Sequence, residues 1–135
     1  MKFFALCVVT LSLIVSAADA ADEPPKSQAQ AAAYFEALTT GDVEKANSLA
    51  GIPFSLDRKR ILKTADEVNA IHKQIVESKG KRPVPKYKIA PTDKAPKLDP
   101  ALFPKYVAFR VVIDDESLDI YVSVGEAPKI LGFSD

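Results

Sequence analysis

A period of two, which places apolar side chains on one face of the segments from Tyr106 to Ile113 and from Ser117 to Val124, constrains the fold of this chain more than any other feature. A period of two is typical of strands with one buried face. The acidic residues 114–116 interrupt it as a turn, and Lys129–Phe133 predicts one more strand. The C-terminal third is therefore predicted to be an antiparallel three-strand meander. Its buried face comprises Val107, Phe109, Val111, Ile113, Leu118, Ile120, Val122 and Val124.

Helical signals precede this meander. Ser27 and Gln30, and later Thr64 and Glu67, have the spacing of capping boxes that begin helices. The first helix is predicted to begin at Ser27, after a polar tail over residues 21–26, and to stop at Gly41. A shorter helix follows Asp42, and the helix that begins at Thr64 ends at Gly80.

The remaining segments are shorter. Ile52-Pro53-Phe54 is predicted as a turn, Lys59–Lys63 as a short strand, and Tyr87 with Ile89 as another strand. Helices first and a meander last indicate an α+β fold, with the helices packed on one side of an antiparallel sheet. Residues 27–135 would form this single domain.

The first twenty residues read as a cleavable secretory signal. Lys2 supplies a positive start, an apolar stretch runs to Val15, and Ala18 and Ala20 suit cleavage after Ala20. The apolar run is shorter than the roughly 20 residues of a membrane-spanning helix. We expect a secreted or periplasmic protein without a membrane anchor after cleavage.

Composition excludes several kinds of site in the mature chain. Cys7, the one cysteine, leaves with the signal, which excludes thiolate catalysis and disulfides. With one histidine, a clustered imidazole metal site is impossible, and we expect neither metal nor cofactor. The formal net charge of zero gives no overall attraction to nucleic acid. The basic groups Arg58–Arg60 and Lys79–Arg82 and the acidic turn 114–116 are interpreted as solvated.

The segments AYFEALTTGDVEKANSLA, IPF and KILGFSD, in this order, resemble the NTF2-like (SnoaL-like) superfamily. The resemblance implies a cone in which a curved sheet wraps around helices and encloses an apolar pocket. The family includes isomerases, dehydratases, hydrolases and exported domains without catalytic activity. The last two strands also resemble PepSY-type domains. A pocket of this kind would be lined by Tyr34, Phe54, His72, Phe109, Val111 and Ile120.

His72 is the one candidate catalytic residue. It lies at the border of the apolar face formed by Val68, Ile71, Ile75 and Val76, and an unperturbed histidine titrates near pH 6.5. Tyr34, or a carboxylate in the pocket, would be its acid–base partner. The alternative is a half-buried histidine bonded to backbone or water.

The second face of the meander is less polar than a solvated face needs to be. If Ile113 lies opposite Leu118, Arg110 lies opposite Tyr121 and diagonal to Asp119, which allows a cation–π contact and an ion pair. Aromatic residues and arginine are enriched in interfaces. This face, formed by Tyr106, Arg110, Val112 and Tyr121, is therefore a candidate homodimer surface, the alternative being a solvated face.

Three functions remain open on the sequence. The first is an exported, non-catalytic module that binds a small apolar or amphipathic ligand, or a protein partner. The second is an NTF2-like enzyme that uses His72. The third is a structural or interaction domain with a filled core. The pocket distinguishes them: an open apolar pocket favours the binding module, convergence of His72 and a carboxylate favours the enzyme, and a packed interior favours the third.

Overall fold

The computed structural model describes residues 23–135. The predicted signal peptide and its cleavage site lie outside these residues. Across the part that is described, no helix has the length and apolar character needed to cross a membrane.

Residues 23–135 contain three helices: α1 (Glu23–Thr40), α2 (Val43–Leu49) and α3 (Ala65–Lys79). The predicted start of α1 at Ser27 is wrong, since residues 23–26 belong to the helix and not to a polar tail. Pro24 and Pro25 fall in the first turn, where the absence of a backbone N–H leaves no hydrogen bond unmade. Ser27 is consequently a buried interior residue and not a cap.

The ends of α2 and α3 follow the sequence signals. The Asp42 side chain accepts a hydrogen bond from the Lys45 N–H at 3.1 Å, as an N-cap does. Thr64 and Glu67 form the predicted capping box, and Gly80 ends α3. Gly41 separates α1 from α2 with a φ of 86°, a conformation that glycine adopts without steric cost.

In the described part of the chain, six strands form one sheet in the order β2-β1-β6-β5-β4-β3. The β1–β6 pair is parallel and the other four pairs are antiparallel, so the sheet is mixed where the sequence predicts an antiparallel one. The three-strand meander β4-β5-β6 is confirmed, as is the α+β class. The strands are β1 (Ala50–Leu56), β2 (Arg60–Leu62), β3 (Lys88–Pro91), β4 (Val107–Ile113), β5 (Glu116–Val122) and β6 (Ile130–Ser134).

The predicted turn at Ile52-Pro53-Phe54 is wrong, because these residues belong to β1. Proline is tolerated in strands at irregularities of the pairing. The register between β1 and β6 shifts between Ala50 and Ser55, and Pro53 lies within that shift.

The register of the β4–β5 hairpin also differs from the prediction. Ile113 pairs with Glu116 and not with Leu118, because the turn consists of Asp114 and Asp115 alone. Asp114 has a φ of 54°, as a tight hairpin turn requires. A shift of two residues leaves each side chain on its expected face. Phe109 and Ile120, which pair across the two strands, both lie in the core against the helices.

The loop of residues 92–106 covers part of the second face of the sheet. Leu98 and Phe103 from the loop form a second apolar cluster with Ala108 and Tyr121. The Tyr121 hydroxyl donates to the Pro96 carbonyl at 2.6 Å, and the Leu98 N–H donates to the Tyr106 hydroxyl at 3.0 Å. The loop is thereby fixed to the sheet by both apolar contacts and hydrogen bonds.

Candidate functional site

His72 lies at the meeting point of the three helices. On α3, Val68, Ile71 and His72 are buried, so His72 faces the interior beside the apolar side chains. Its Nε2 is 2.8 Å from the Tyr34 hydroxyl of α1. Its Nδ1 is 2.6 Å from Oδ1 of Asn47 on α2. The imidazole therefore bridges all three helices.

A fourth residue determines the direction of these hydrogen bonds. The Asn47 side chain donates from Nδ2 to Oδ1 of Asn69 at 2.7 Å, so its own Oδ1 faces His72 as an acceptor. His72 Nδ1 must then carry the proton, and Nε2 accepts from the Tyr34 hydroxyl. We call Tyr34, His72, Asn47 and Asn69 the histidine chain. Each polar atom along it has a partner, which allows a polar group to lie in the core.

Burial keeps both ionisable members of the histidine chain neutral. Neither Tyr34 nor His72 exposes any of its area, at 0% each. Removal from water lowers the pKa of His72 to about 4 and raises the pKa of Tyr34 well above its ordinary value. At neutral pH the pair is a phenol donating to a neutral imidazole.

The structure brings the predicted acid–base pair together but gives it no carboxylate partner among residues 23–135. The chain from His72 leads to two amides, which do not titrate and cannot take up a proton from the imidazole. Within the same residues, no cluster of three histidine, cysteine or acidic side chains suits a metal ion.

The six residues assigned to a pocket by the resemblance form the packed core. Each has a relative exposure of 0%, so none borders a space that a water molecule could enter. The Phe54 ring lies edge-on to His72, with their centroids 5.9 Å apart, and it also contacts Tyr34 and Phe133. Phe109, Val111 and Ile120 continue the same cluster along the sheet.

The candidate dimer face is divided by the covering loop. Tyr121 is fully buried beneath the loop, and the Tyr106 ring packs edge-on against it with centroids 5.6 Å apart. Arg110 lies opposite Asp119, not opposite Tyr121, because of the two-residue change in register. The predicted stacking on Tyr121 is replaced by a bidentate pair, with Nε to Oδ1 at 2.8 Å and Nη2 to Oδ2 at 3.0 Å.

Beside the loop, the same face remains accessible. Val112 is 38% exposed. An open groove of about 820 Å³ lies here along edge strand β3, and its lining includes Lys88, Asp93, Lys94, Arg110 and Val112. Self-association through this part of the face stays a prediction, which sedimentation at micromolar concentrations tests.

Sequence reasoning missed Asn47 and Asn69. Asparagine is a poor helix former, and both residues lie in helix interiors. Asn69 precedes His72 by three residues, which places the two on one side of α3. That signal could have identified Asn69, whereas the approach of Asn47 depends on how α2 packs against α3.

No family model matches the chain, and no curated protein matches it. Among solved structures, it is similar to a domain of unknown function with a cystatin-like fold from Nostoc punctiforme. The two are 16% identical, the match covers 83% of this chain and 75% of that one, and the TM-score is 0.45. A likeness at this level says nothing about function.

Proposed function

We propose that the protein is an exported, non-catalytic interaction module that binds a protein partner with its outer surface. The observation that carries the proposal is the complete burial of Tyr34, Phe54, His72, Phe109, Val111 and Ile120. A ligand pocket at this position would need space between these side chains. They contact one another instead, as in a filled core.

The state of His72 supports the same proposal. A general base needs a lone pair that can reach a substrate proton. The lone pair of His72 is on Nε2 and is taken by the Tyr34 hydroxyl, while Nδ1 donates to Asn47. Access to either nitrogen would require the three helices to separate, which favours a structural role for the imidazole.

The export part of the proposal is supported by the leader pattern of the first twenty residues. Mass spectrometry of the protein released by its native host should give a mature chain that begins at Ala21, or within one or two residues of it. An exported protein that retains Met1 would contradict this part.

The filled core can be tested with two probes, benzene for an apolar ligand and laurate for an amphipathic one. We expect neither probe to raise the melting temperature of the wild-type protein. The matched control is Phe109→Ala, because truncation of a buried phenylalanine leaves an apolar cavity, and an engineered apolar cavity of about 150 Å³ binds benzene. Benzene should raise the melting temperature of that variant through linkage of binding to folding.

The opposite result would favour a ligand-binding module. If benzene or laurate stabilises the wild-type protein and shifts the NMR signals of Phe54 and Ile120, the interior accepts a ligand and the proposed function is wrong. Shifts confined to the groove along β3 would indicate surface binding and leave the filled core in place.

A further inference from the structure

The connection between α3 and β3 is the most strongly basic stretch of the described chain. Residues 79–88, with the sequence KGKRPVPKYK, contain five cations and no acidic residue. We call them the basic segment. All five cationic side chains are exposed, namely Lys79, Lys81, Arg82, Lys86 and Lys88.

The basic segment has a restricted backbone although it lies mostly outside the helices and strands. Pro83 and Pro85 have their φ angles fixed by their rings. Arg82 and Val84 each precede a proline, which restricts them to extended conformations. Four consecutive residues are thus held extended without any hydrogen-bonded ladder, a conformation that proline-rich recognition segments share.

Both ends of this extended stretch are fixed to α1. The Arg82 N–H donates to the Thr39 carbonyl at 2.9 Å. At the other end, the Tyr87 ring packs on Phe35 with centroids 4.8 Å apart, and its hydroxyl donates to Glu36 Oε2 at 2.6 Å. The backbone that carries Arg82 and Lys86 is therefore held at a set position on the surface.

The cations of the basic segment are not held in ion pairs within residues 23–135. None of its five cations forms an ion pair with a described carboxylate. Val84, at the centre of the segment, is 39% exposed, which places an apolar contact among the charges. Lys88 continues the positive surface into the groove along β3, where Lys94 and Asp93 lie.

We propose that the basic segment is a docking site for a protein partner that presents an acidic groove. The proposal rests on the proposed function and names the surface that such a module would use. Opposite charges give complementarity and steer the encounter. Because the backbone is already extended and fixed, docking costs little conformational entropy, as in the recognition of other proline-rich segments.

The same observations favour a protein groove over an anionic membrane. A lipid surface needs no fixed spacing of cations, and interfacial binding gains from aromatic side chains that can insert. The aromatic residue of the segment, Tyr87, is instead held against Phe35 and Glu36. Addition of a strand to β3 is also disfavoured, because Lys88 and Pro91 are residues that protect sheet edges.

The test uses a fluorescein-labelled peptide of ten glutamates, with binding followed by fluorescence anisotropy at about 0.15 M ionic strength, where the Debye length is about 8 Å. The variant Lys81→Gln/Arg82→Gln/Lys86→Gln keeps polar side chains, although shorter ones, and removes three charges. We expect its Kd to rise about tenfold, equivalent to about 1.4 kcal/mol. That is the sum expected of three exposed ion pairs.

The matched control is Arg58→Gln/Lys59→Gln/Arg60→Gln, which removes three exposed cations from the turn between β1 and β2 and at the start of β2. Its Kd should change by less than about twofold. A further variant, Pro83→Gly/Pro85→Gly, retains every charge but frees the backbone. It should weaken binding about threefold, because more conformational entropy is lost on docking.

Several outcomes would overturn the proposal. An equal loss of peptide affinity in the two triple variants would mean that binding depends on total charge and not on the position of the cations. No measurable binding of the peptide would exclude the site. Tighter binding to phosphatidylglycerol vesicles, lost in the Lys81/Arg82/Lys86 variant, would assign the segment to a membrane. The peptide-binding results do not depend on whether benzene or laurate enters the interior. A failure of the docking site is therefore distinguishable from a failure of the proposed function.

Discussion

The Tyr34 hydroxyl donates to His72 Nε2 at 2.8 Å, and both side chains are closed off from solvent. This bond joins α1 to α3, while Nδ1 of the same imidazole joins α3 to α2. The single histidine of the chain thus organises the packing of the three helices, and its protonation state should affect stability directly.

We expect stability to fall as the pH is lowered through the range that separates the two pKa values of His72. In the unfolded chain the imidazole titrates near 6.5, and in the folded protein near 4. Below pH 6.5 the unfolded state therefore binds more protons, and the free energy of unfolding decreases until about pH 4. The slope approaches about 1.4 kcal/mol per pH unit, or about 3 kcal/mol in total.

Urea unfolding of the wild type and of His72→Gln at pH 7, 6, 5 and 4 measures this effect. The carboxylates contribute alike to both proteins, so the difference between the two curves isolates the imidazole. Parallel curves across this range would show that the imidazole is not held neutral by burial.

Tyr34→Phe removes the donor to His72 Nε2 and leaves that buried nitrogen without a partner. Such a loss costs about 1–3 kcal/mol of the free energy of unfolding. The control is Tyr87→Phe, because the Tyr87 hydroxyl donates to an exposed carboxylate that water can hydrate in its place. This substitution should cost less than about 1 kcal/mol of the free energy of unfolding. Equal costs at the two positions would mean that the buried bond contributes nothing beyond a surface one.

Phe109→Ala should destabilise the protein by about 3–5 kcal/mol, the range for truncation of a buried aromatic side chain. Phe109 is fully buried against the helices, whereas Val112, three residues along β4, is exposed on the other face. Val112→Ala should change stability by no more than about 0.5 kcal/mol. Chemical denaturation of both variants tests which face of the sheet is buried, and a loss below about 1 kcal/mol for Phe109→Ala would contradict the structure.

Gly132→Ala should destabilise the protein by more than about 2 kcal/mol, since a Cβ at this position would fall on the Ser55 carbonyl oxygen. Relief of that clash would separate β6 from β1 at their parallel pairing. Gly80→Ala is the control, because it also has a positive φ of 80° but has open space around the added Cβ. Thermal unfolding should give the control the smaller loss, about 1 kcal/mol. Similar losses in both would attribute the effect at Gly132 to its φ alone.

Local patterns predicted the local structure of this chain well. The capping signals at Asp42 and Thr64 and the alternation around Phe109 depend on neighbours a few residues away, and the structure confirms them. Two local predictions failed. The capping pattern at Ser27 is also compatible with an interior position that follows two prolines, and the turn predicted at Ile52-Pro53-Phe54 is part of strand β1.

Features that depend on residues far apart in the sequence could not be predicted from local patterns. The parallel pairing of β1 with β6 joins Ser55 to Gly132 across most of the chain, and no short pattern encodes it. The exact register of Arg110 and Asp119 depends on the length of one turn. The candidate site shows the same division. Helical spacing placed His72 at the border of the apolar face, but its complete burial and its contact with Asn47 follow from the packing of separate helices.

The position of β6 in the sheet has a consequence for how the chain is made. β6 is the last of the six strands along the chain, yet it lies between β1 and β5 and is the one element that hydrogen-bonds the two halves of the sheet together. As the polypeptide leaves the ribosome, the earlier strands have no means of closing into a single sheet before residues 130–134 emerge. Until that moment, β2-β1 and β5-β4-β3 remain two separate groups of strands.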